Sequence, residues 1–340
     1  MSHSENFSRG HFDRIYTDIE CFLQESPLTF ANLEAPVDNG RPYSDYPRFN
    51  MQHPYVEAAI NAGFNVFSLA NNHTNDQDLR GIRATKTYFD ELMESSAGSE
   101  RPIYASGLKD RQDALFSICY IEENGWKILF LAVTELLNSP SYSSYINYIR
   151  TSKAARAEFI RQISSLRAQY PCDLFILSLH CAEPEYILTI DKEQAAFYRE
   201  LLDAGIDVLW ANHPHVAKDW EVIGGEDKVP RKIIFYAMGN TISGQRRNPS
   251  FTAPNTARDY TGDGFIAQVR YVKDEQGIHI VHINPVLITT YINPERLFII
   301  RQLNESLIKE LREEGQDVWA TYLEERKALM KRVKGRTVWQ

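Results

Sequence analysis

Cysteine is scarce in this 340-residue chain. There are four, at positions 21, 119, 172 and 181, with no paired spacing. That excludes a Cys-x-x-Cys zinc module and a disulfide-framed scaffold, and it points to a reducing compartment. Long apolar runs are missing too. Stretches such as Ile128–Val133 and Val208–Ala211 fall far short of the about 20 residues that a bilayer span needs. Met1–Gly10 is polar and has no apolar leader core, so no signal peptide is expected and the expected location is cytoplasmic. Basic excess is absent: 37 Lys and Arg against 45 Asp and Glu give −8. A chain of that sign exerts no global pull on nucleic acid or an anionic membrane. No Gly-x-Ser-x-Gly elbow and no Walker loop occurs, and Gly224-Gly225 reads as a turn between strands. A serine hydrolase and a nucleotide kinase therefore have little support.

What is present is a globular composition, 43% hydrophobic and 24% charged, which rules out disorder and low complexity. The first two thirds alternate between short apolar runs and amphipathic stretches. Strands are expected at Leu28–Ala31, Asn65–Ala70, Phe116–Glu122, Trp126–Val133, Asp173–Leu179, Asp207–Ala211 and Lys232–Ala237. Helices are expected at Tyr55–Ala62, Asp78–Met93, Lys153–Gln169 and Lys192–Ala204, the first and last of them stopped by Gly63 and Gly205. A hairpin follows, Gly264–Val272 and Gly277–Ile283 around Asp274–Gln276. Such alternation favours a mostly parallel sheet with helices on both faces, and ligands then lie beyond the carboxyl ends of the strands. Residues 301–340 carry +2 against −10 for the rest, with Leu303, Leu307 and Leu311 every four residues. Two amphipathic helices are expected there, a brace covering a core or a homo-oligomer contact.

The strand ends carry the chemistry. In chain order they lead into Asn32-Leu33-Glu34, Asn71-Asn72-His73, His180, Asn212-His213-Pro214-His215 and Met238-Gly239-Asn240. Four of the nine histidines stand there. One histidine at such a place is more often a hydrogen-bonded structural residue than a ligand. Four at equivalent ends of one sheet converge on one edge, which makes independent structural roles the poorer account. Neutral imidazole and carboxylate suit first-row divalent metals, and two metals about 3.5–4 Å apart can clamp both the attacking and leaving oxygens of a phosphoryl displacement. Cys181 beside His180 reads as a buried thiol and not as a ligand.

The segments Ala31–Pro36, Phe67–Asp76, Ser178–Tyr186, Ala204–Val216 and Ile234–Ile242 together resemble the bacterial capsule-synthesis CapA-type family of poly-gamma-glutamate biosynthesis, within the calcineurin-like metallophosphoesterases. With the linking helices the resemblance covers roughly residues 12–290. It implies an α/β fold, a mixed β-sandwich flanked by helices, over residues 1–295, with a C-terminal helical extension at 296–340. It implies Glu34, Asn72, His180, His213 and His215 as metal ligands, for two divalent ions (Mn, Fe or Zn). It implies His73 as the general acid, with Asp76 orienting it or, alternatively, capping the next helix. Asn32 and Asn240 would face substrate, and Arg246 and Arg247 would hold an anion or sit in a solvated loop. Two departures stand out. The family's opening strand ending in Gly-Asp has no counterpart in Met1–Phe12, which leaves one metal as the alternative, and Cys181-Ala182 replaces an aromatic and a glycine. The expected function is a metal-dependent hydrolase of phosphoesterase type acting on a small-molecule or polymer substrate in capsule or polyglutamate biosynthesis. The alternatives are a metal-dependent amide or peptide hydrolase on a glutamyl polymer and a non-catalytic assembly protein of the capsule apparatus.

Overall fold

The computed structural model describes residues 6–7 and 10–339. The readings of Met1–Gly10 fall largely outside them. In chain order the elements are α1 (Glu20–Gln24), β1 (Phe30–Asn32), α2 (His53–Ala62), β2 (Val66–Ser68), α3 (Asp78–Ser96), β3 (Tyr104–Ser106), β4 (Ile118–Glu123), β5 (Trp126–Thr134), α4 (Lys153–Gln169), β6 (Leu174–His180), α5 (Lys192–Asp203), β7 (Val208–Asn212), β8 (Trp220–Gly224) and β9 (Pro230–Phe235). They continue with α6 (Ala257–Tyr260), β10 (Asp263–Asp274), β11 (Gly277–Ile292), β12 (Phe298–Gln302), α7 (Glu305–Glu313), α8 (Asp317–Met330) and β13 (Gly335–Trp339).

The central sheet has seven strands in the order β13-β8-β9-β7-β6-β5-β4. Its middle, β5, β6, β7 and β9, is parallel, and β4 closes one edge as an antiparallel hairpin with β5. Strand β5 shows why the run Ile128–Val133 is apolar throughout. Ile128, Phe130 and Ala132 face one core, while Leu129, Leu131 and Val133 face another with Phe159 and Ile163 of α4 and Leu201 of α5. Burial on both faces removes the polar alternation of a half-exposed strand. Helices α4 and α5 cover one face. The other packs on a second layer made of parallel β1-β2-β3 and antiparallel β10-β11-β12. The structure is therefore a mixed β-sandwich flanked by helices. The alternating pattern alone had placed helices on both faces, because β3 is three residues long and β12 lies beyond the expected hairpin.

Strand β11 runs on past Ile283 through Pro285. Proline lacks a backbone donor, which usually confines it to a strand edge. Pro285 pairs with Ala267, and β12 joins β11 only from Ile288 onward, so no third strand asks for the missing N–H.

The C-terminal segment is continuous with these layers. β12 pairs with β11, and β13 pairs in parallel with β8. Leu307, Ile308 and Leu311 of α7 and Leu323 and Met330 of α8 are buried with Val222, Ile233 and Phe265. Both helices thus turn their apolar stripes onto the body. Residues 335–339, which fall within the expected helical extension, instead form the edge strand. A buried charge network locks the arrangement. Asp263 accepts from Arg246 Nη1 and Arg326 Nε, each at 2.7 Å, and from Thr289 Oγ1 at 2.7 Å. Asp263 and Arg326 are fully buried.

Removing the shared carboxylate would leave two buried guanidinium charges without their partner, at a cost of about 3–5 kcal/mol. Asp263→Asn is expected to lower unfolding stability by about that amount in denaturant titration. A loss below about 1 kcal/mol would show that the network does not hold α8 to the body.

Candidate metal centre

Parallel register aligns the strand ends. His180 pairs with Thr134 of β5 on one side and with Asn212 of β7 on the other, so the turns after β5, β6 and β7 leave the sheet side by side. From the second layer, Asn32 pairs with Ser68, which sets Glu34 and the 71–76 turn next to each other. The two layers touch here through the hydroxyls of Ser68 and Ser178, 2.9 Å apart.

Glu34 is the hub. It is buried, and its Oε1 lies 3.7 Å from His180 Nε2 and 3.9 Å from His215 Nε2. Its Oε2 accepts from Asn32 Nδ2 at 3.3 Å. Burial alone would raise its pKa, but His215, His180 and His73 overcome that and bring it down to about 2. His180 Nε2 also faces Asn72 Oδ1 at 2.9 Å. Burial pushes the His180 pKa well below its ordinary value and that of His213 down to about 4, so both rings are neutral at pH 7, the state that ligates metal.

Two ligand groups result. Glu34, His180 and His213 offer donor atoms all within 4.8 Å of one another, and Glu185, His213 and His215 do the same. Among the described residues, Glu34 Oε1, His180 Nδ1 and His213 Nδ1 are buried without a hydrogen-bond partner. Buried polar atoms are nearly always paired, so an orphaned Glu34 Oε1 among neutral imidazoles is what a divalent cation would satisfy. The donor set fits such an ion. The loop is strained to present it: His213 has φ 102° and His215 φ 58°, costs that persist only where surroundings over-determine the backbone. Pro214 accepts from the Tyr186 N–H, and His215 Nδ1 is 2.9 Å from Asn240 Oδ1. Gly239 delivers Asn240 there. It has φ 75°, and a Cβ at that position would come within 2.4 Å of the Asp263 carbonyl oxygen.

Beside this cluster His73 Nδ1 donates to Asp76 Oδ2 at 2.7 Å. Burial would lower the His73 pKa, but the bond to Asp76 and its charge raise it above the ordinary value. Asp76 does not cap α3, whose N-cap position is Gln77 with no side-chain cap bond; its carboxylate also accepts from the Phe49 N–H. Phe49 meets the His73 ring edge-on at 4.7 Å.

The sequence-derived residues Glu34, Asn72, His73, Asp76, His180, His213 and His215 come together, with Asn32 and Asn240 in contact with them. Arg246 does not fit the role of anion holder. It is 1% exposed, and its guanidinium is engaged by Asp263, Thr289 and the carbonyls of Asp259 and Thr290. Arg247 is exposed on the same loop. Two residues escaped sequence reasoning. Glu185 sits near His215 only because the 181–186 loop folds back. Asn138 donates to Asp76 Oδ1 at 3.4 Å and accepts from Asn72 Nδ2 at 3.1 Å, joining the His73 pair to the ligand set. A loop asparagine after β5 carries no spacing signal.

Fold and site together define a metallophosphoesterase-like α/β protein with candidate Glu/His metal groups. The family model described as bacterial capsule synthesis protein PGA_cap matches residues 2–245, and the chain belongs to that family. It is 26% identical over 250 residues to the capsule biosynthesis protein CapA of Bacillus anthracis, covering 71% of this chain and 56% of that one. It is 26% identical over 236 residues to the PGA biosynthesis protein CapA of Bacillus subtilis (strain 168), covering 68% and 57%. The chain thus spans a little over half the length of these curated relatives.

Protein purified without chelator is expected to carry Mn, Fe or Zn by elemental analysis. His180→Ala and His213→Ala should each abolish that content. Asn240→Ala, which removes the partner of His215 Nδ1 together with bonds to Gln245 and the Thr261 carbonyl, should weaken metal binding about 10–100-fold. A metal-free wild type, or unchanged content in both histidine variants, would refute the assignment.

Proposed function

We propose that the protein is a metal-dependent hydrolase of phosphoesterase type that serves capsule or polyglutamate polymer biosynthesis. The observation that carries this reading is the pairing of two activities at one sheet edge: a Glu/His ligand cluster with orphaned donor atoms, and beside it a histidine held by a carboxylate. The family and the names of the two Bacillus relatives support the biosynthetic setting.

A bound divalent cation supplies Lewis-acid activation of water and of phosphoryl oxygens. Glu34, Asn72, His180 and His213 would hold one ion, and His215 with Glu185 and His213 would face a second. The remaining work belongs to the chain's own groups. Asp76 keeps the proton on His73 Nδ1 and stabilises the imidazolium, so Nε2 can deliver a proton to the departing oxygen. Asn138 donates to Asp76 Oδ1 while the Phe49 N–H donates to Oδ2, and Asn138 ties the pair to Asn72. Among the described residues no helix is long and apolar enough to cross a membrane.

Hydrolysis of p-nitrophenyl phosphodiesters by the metal-loaded chain is the test, run beside glutamyl peptides. Phosphodiester turnover is expected, and His73→Asn should cut kcat about 10²–10⁴-fold with metal content unchanged. Peptide cleavage without phosphodiester cleavage would overturn the phosphoesterase reading, and so would His73→Asn at full activity.

A further inference from the structure

Tyr186 and Arg258 form a second constellation at the rim of the candidate metal centre. The Tyr186 ring stacks on His215, with centroids 6.2 Å apart and planes inclined by 26°. The Arg258 guanidinium lies 4.6 Å from the centroid of the same ring, and its Nη1 donates to the Tyr186 hydroxyl at 2.8 Å. Gln245 Nε2 donates to that hydroxyl at 3.2 Å and its Oε1 accepts from Asn240, the partner of His215. One exposed arginine is thereby tied through two contacts to a histidine of the ligand set.

The backbone that presents Arg258 is unusually well fixed for a four-residue helical turn. Thr256 and Asp259 form a reciprocal capping box. The Asp259 carboxylate also accepts from the Ser250 N–H at 3.0 Å and the Tyr322 hydroxyl of α8 at 2.6 Å, while Arg246 donates to the Asp259 carbonyl. An arginine that only solubilises a surface needs no such support. Among the described residues, no partner takes Arg258 Nε or Nη2. A stacked guanidinium with open in-plane donors is pre-organised for a carboxylate or phosphate oxygen pair.

We propose that Arg258, held by Tyr186, is a substrate-recognition residue for a second anionic group, a carboxylate or a phosphate, lying beside the group processed at the metal centre. The inference rests on the hydrolase reading and deepens it. Arg258 lies outside residues 2–245, so this selectivity comes from the part of the chain beyond the family match, braced by the C-terminal helices. That gives α8 a part in substrate choice.

The test is calorimetric binding of three non-hydrolysable probes to the metal-loaded full chain: propylphosphonate, 3-phosphonopropanoate and propane-1,3-bisphosphonate. All offer a phosphonate to the centre; only the last two add a second anion. Wild type should bind at least one of them more tightly than propylphosphonate, and the preferred one tells carboxylate from phosphate. Arg258→Met should erase the preference, a change of about 10-fold, with an unaltered melting temperature. Tyr186→Phe should reduce it partially. If wild type binds propylphosphonate but shows no preference, or Arg258→Met keeps it, the recognition role is overturned and the hydrolase reading stands. If wild type binds none of the three, both fall.

Discussion

A carboxylate buried among imidazoles organises this protein. Among the described residues no lysine or arginine pairs with Glu34; its Oε1 lies near His180 and His215, both through Nε2. Burying that charge is costly, and the nearby imidazoles offset the cost enough to keep the carboxylate ionised. The surrounding fold must therefore hold Glu34, His180, His213 and His215 together against their own desolvation. The left-handed backbone at His213 and His215 is a further cost carried for the same placement. A bound cation would turn both liabilities into ligand bonds, since metal affinity and ligand ionisation are linked.

Placement of that kind needs rigid support from several directions, and the support is layered. Parallel register brings the ends of β5, β6 and β7 level. The second layer contributes Glu34 and the 71–76 turn from strands whose order along the chain precedes the central sheet. From the far side, Arg326 and Arg246 converge on Asp263, whose carbonyl oxygen leaves no room for a side chain at Gly239. The neighbouring Asn240 then reaches both the Thr261 carbonyl and His215. A helix near the C-terminus is thus connected by a few buried contacts to a candidate metal ligand.

Much of the fold was legible from the pattern of residues. The helix at Lys153–Gln169 is legible because Phe159, Ile163 and Leu166 share one face, and the structure adds Ser152 as its N-cap. Strands β4, β5, β6, β7 and β9 of the central sheet were legible because each is a short apolar run bounded by turn residues. β3, β8, β12 and β13 were not. The exposed run Gly335–Trp339 acquires its strand conformation from pairing with Trp220–Gly224, about which local composition is silent. Arg246 shows the same limit at the site: its position after Asn240 suggested an anion holder, and only the distant Asp263, Thr289 and Thr290 reveal a buried structural role.

The sequence by itself determined which chemical groups stand at strand ends, because a strand's end is a local feature and residue type is explicit there. It therefore supplied the imidazoles, the amides and Glu34 as candidates, and the family as a resemblance. Only the tertiary structure decided which of them meet and with what orientation. Glu185 and Asn138 joined the cluster through loop paths that no spacing encodes. The tautomer of His73 follows from a 2.7 Å approach to Asp76, and Arg258 reaches the rim through a turn pinned by α8. Distances between groups remote in sequence are set by packing of the layers, and packing is a property of the whole chain.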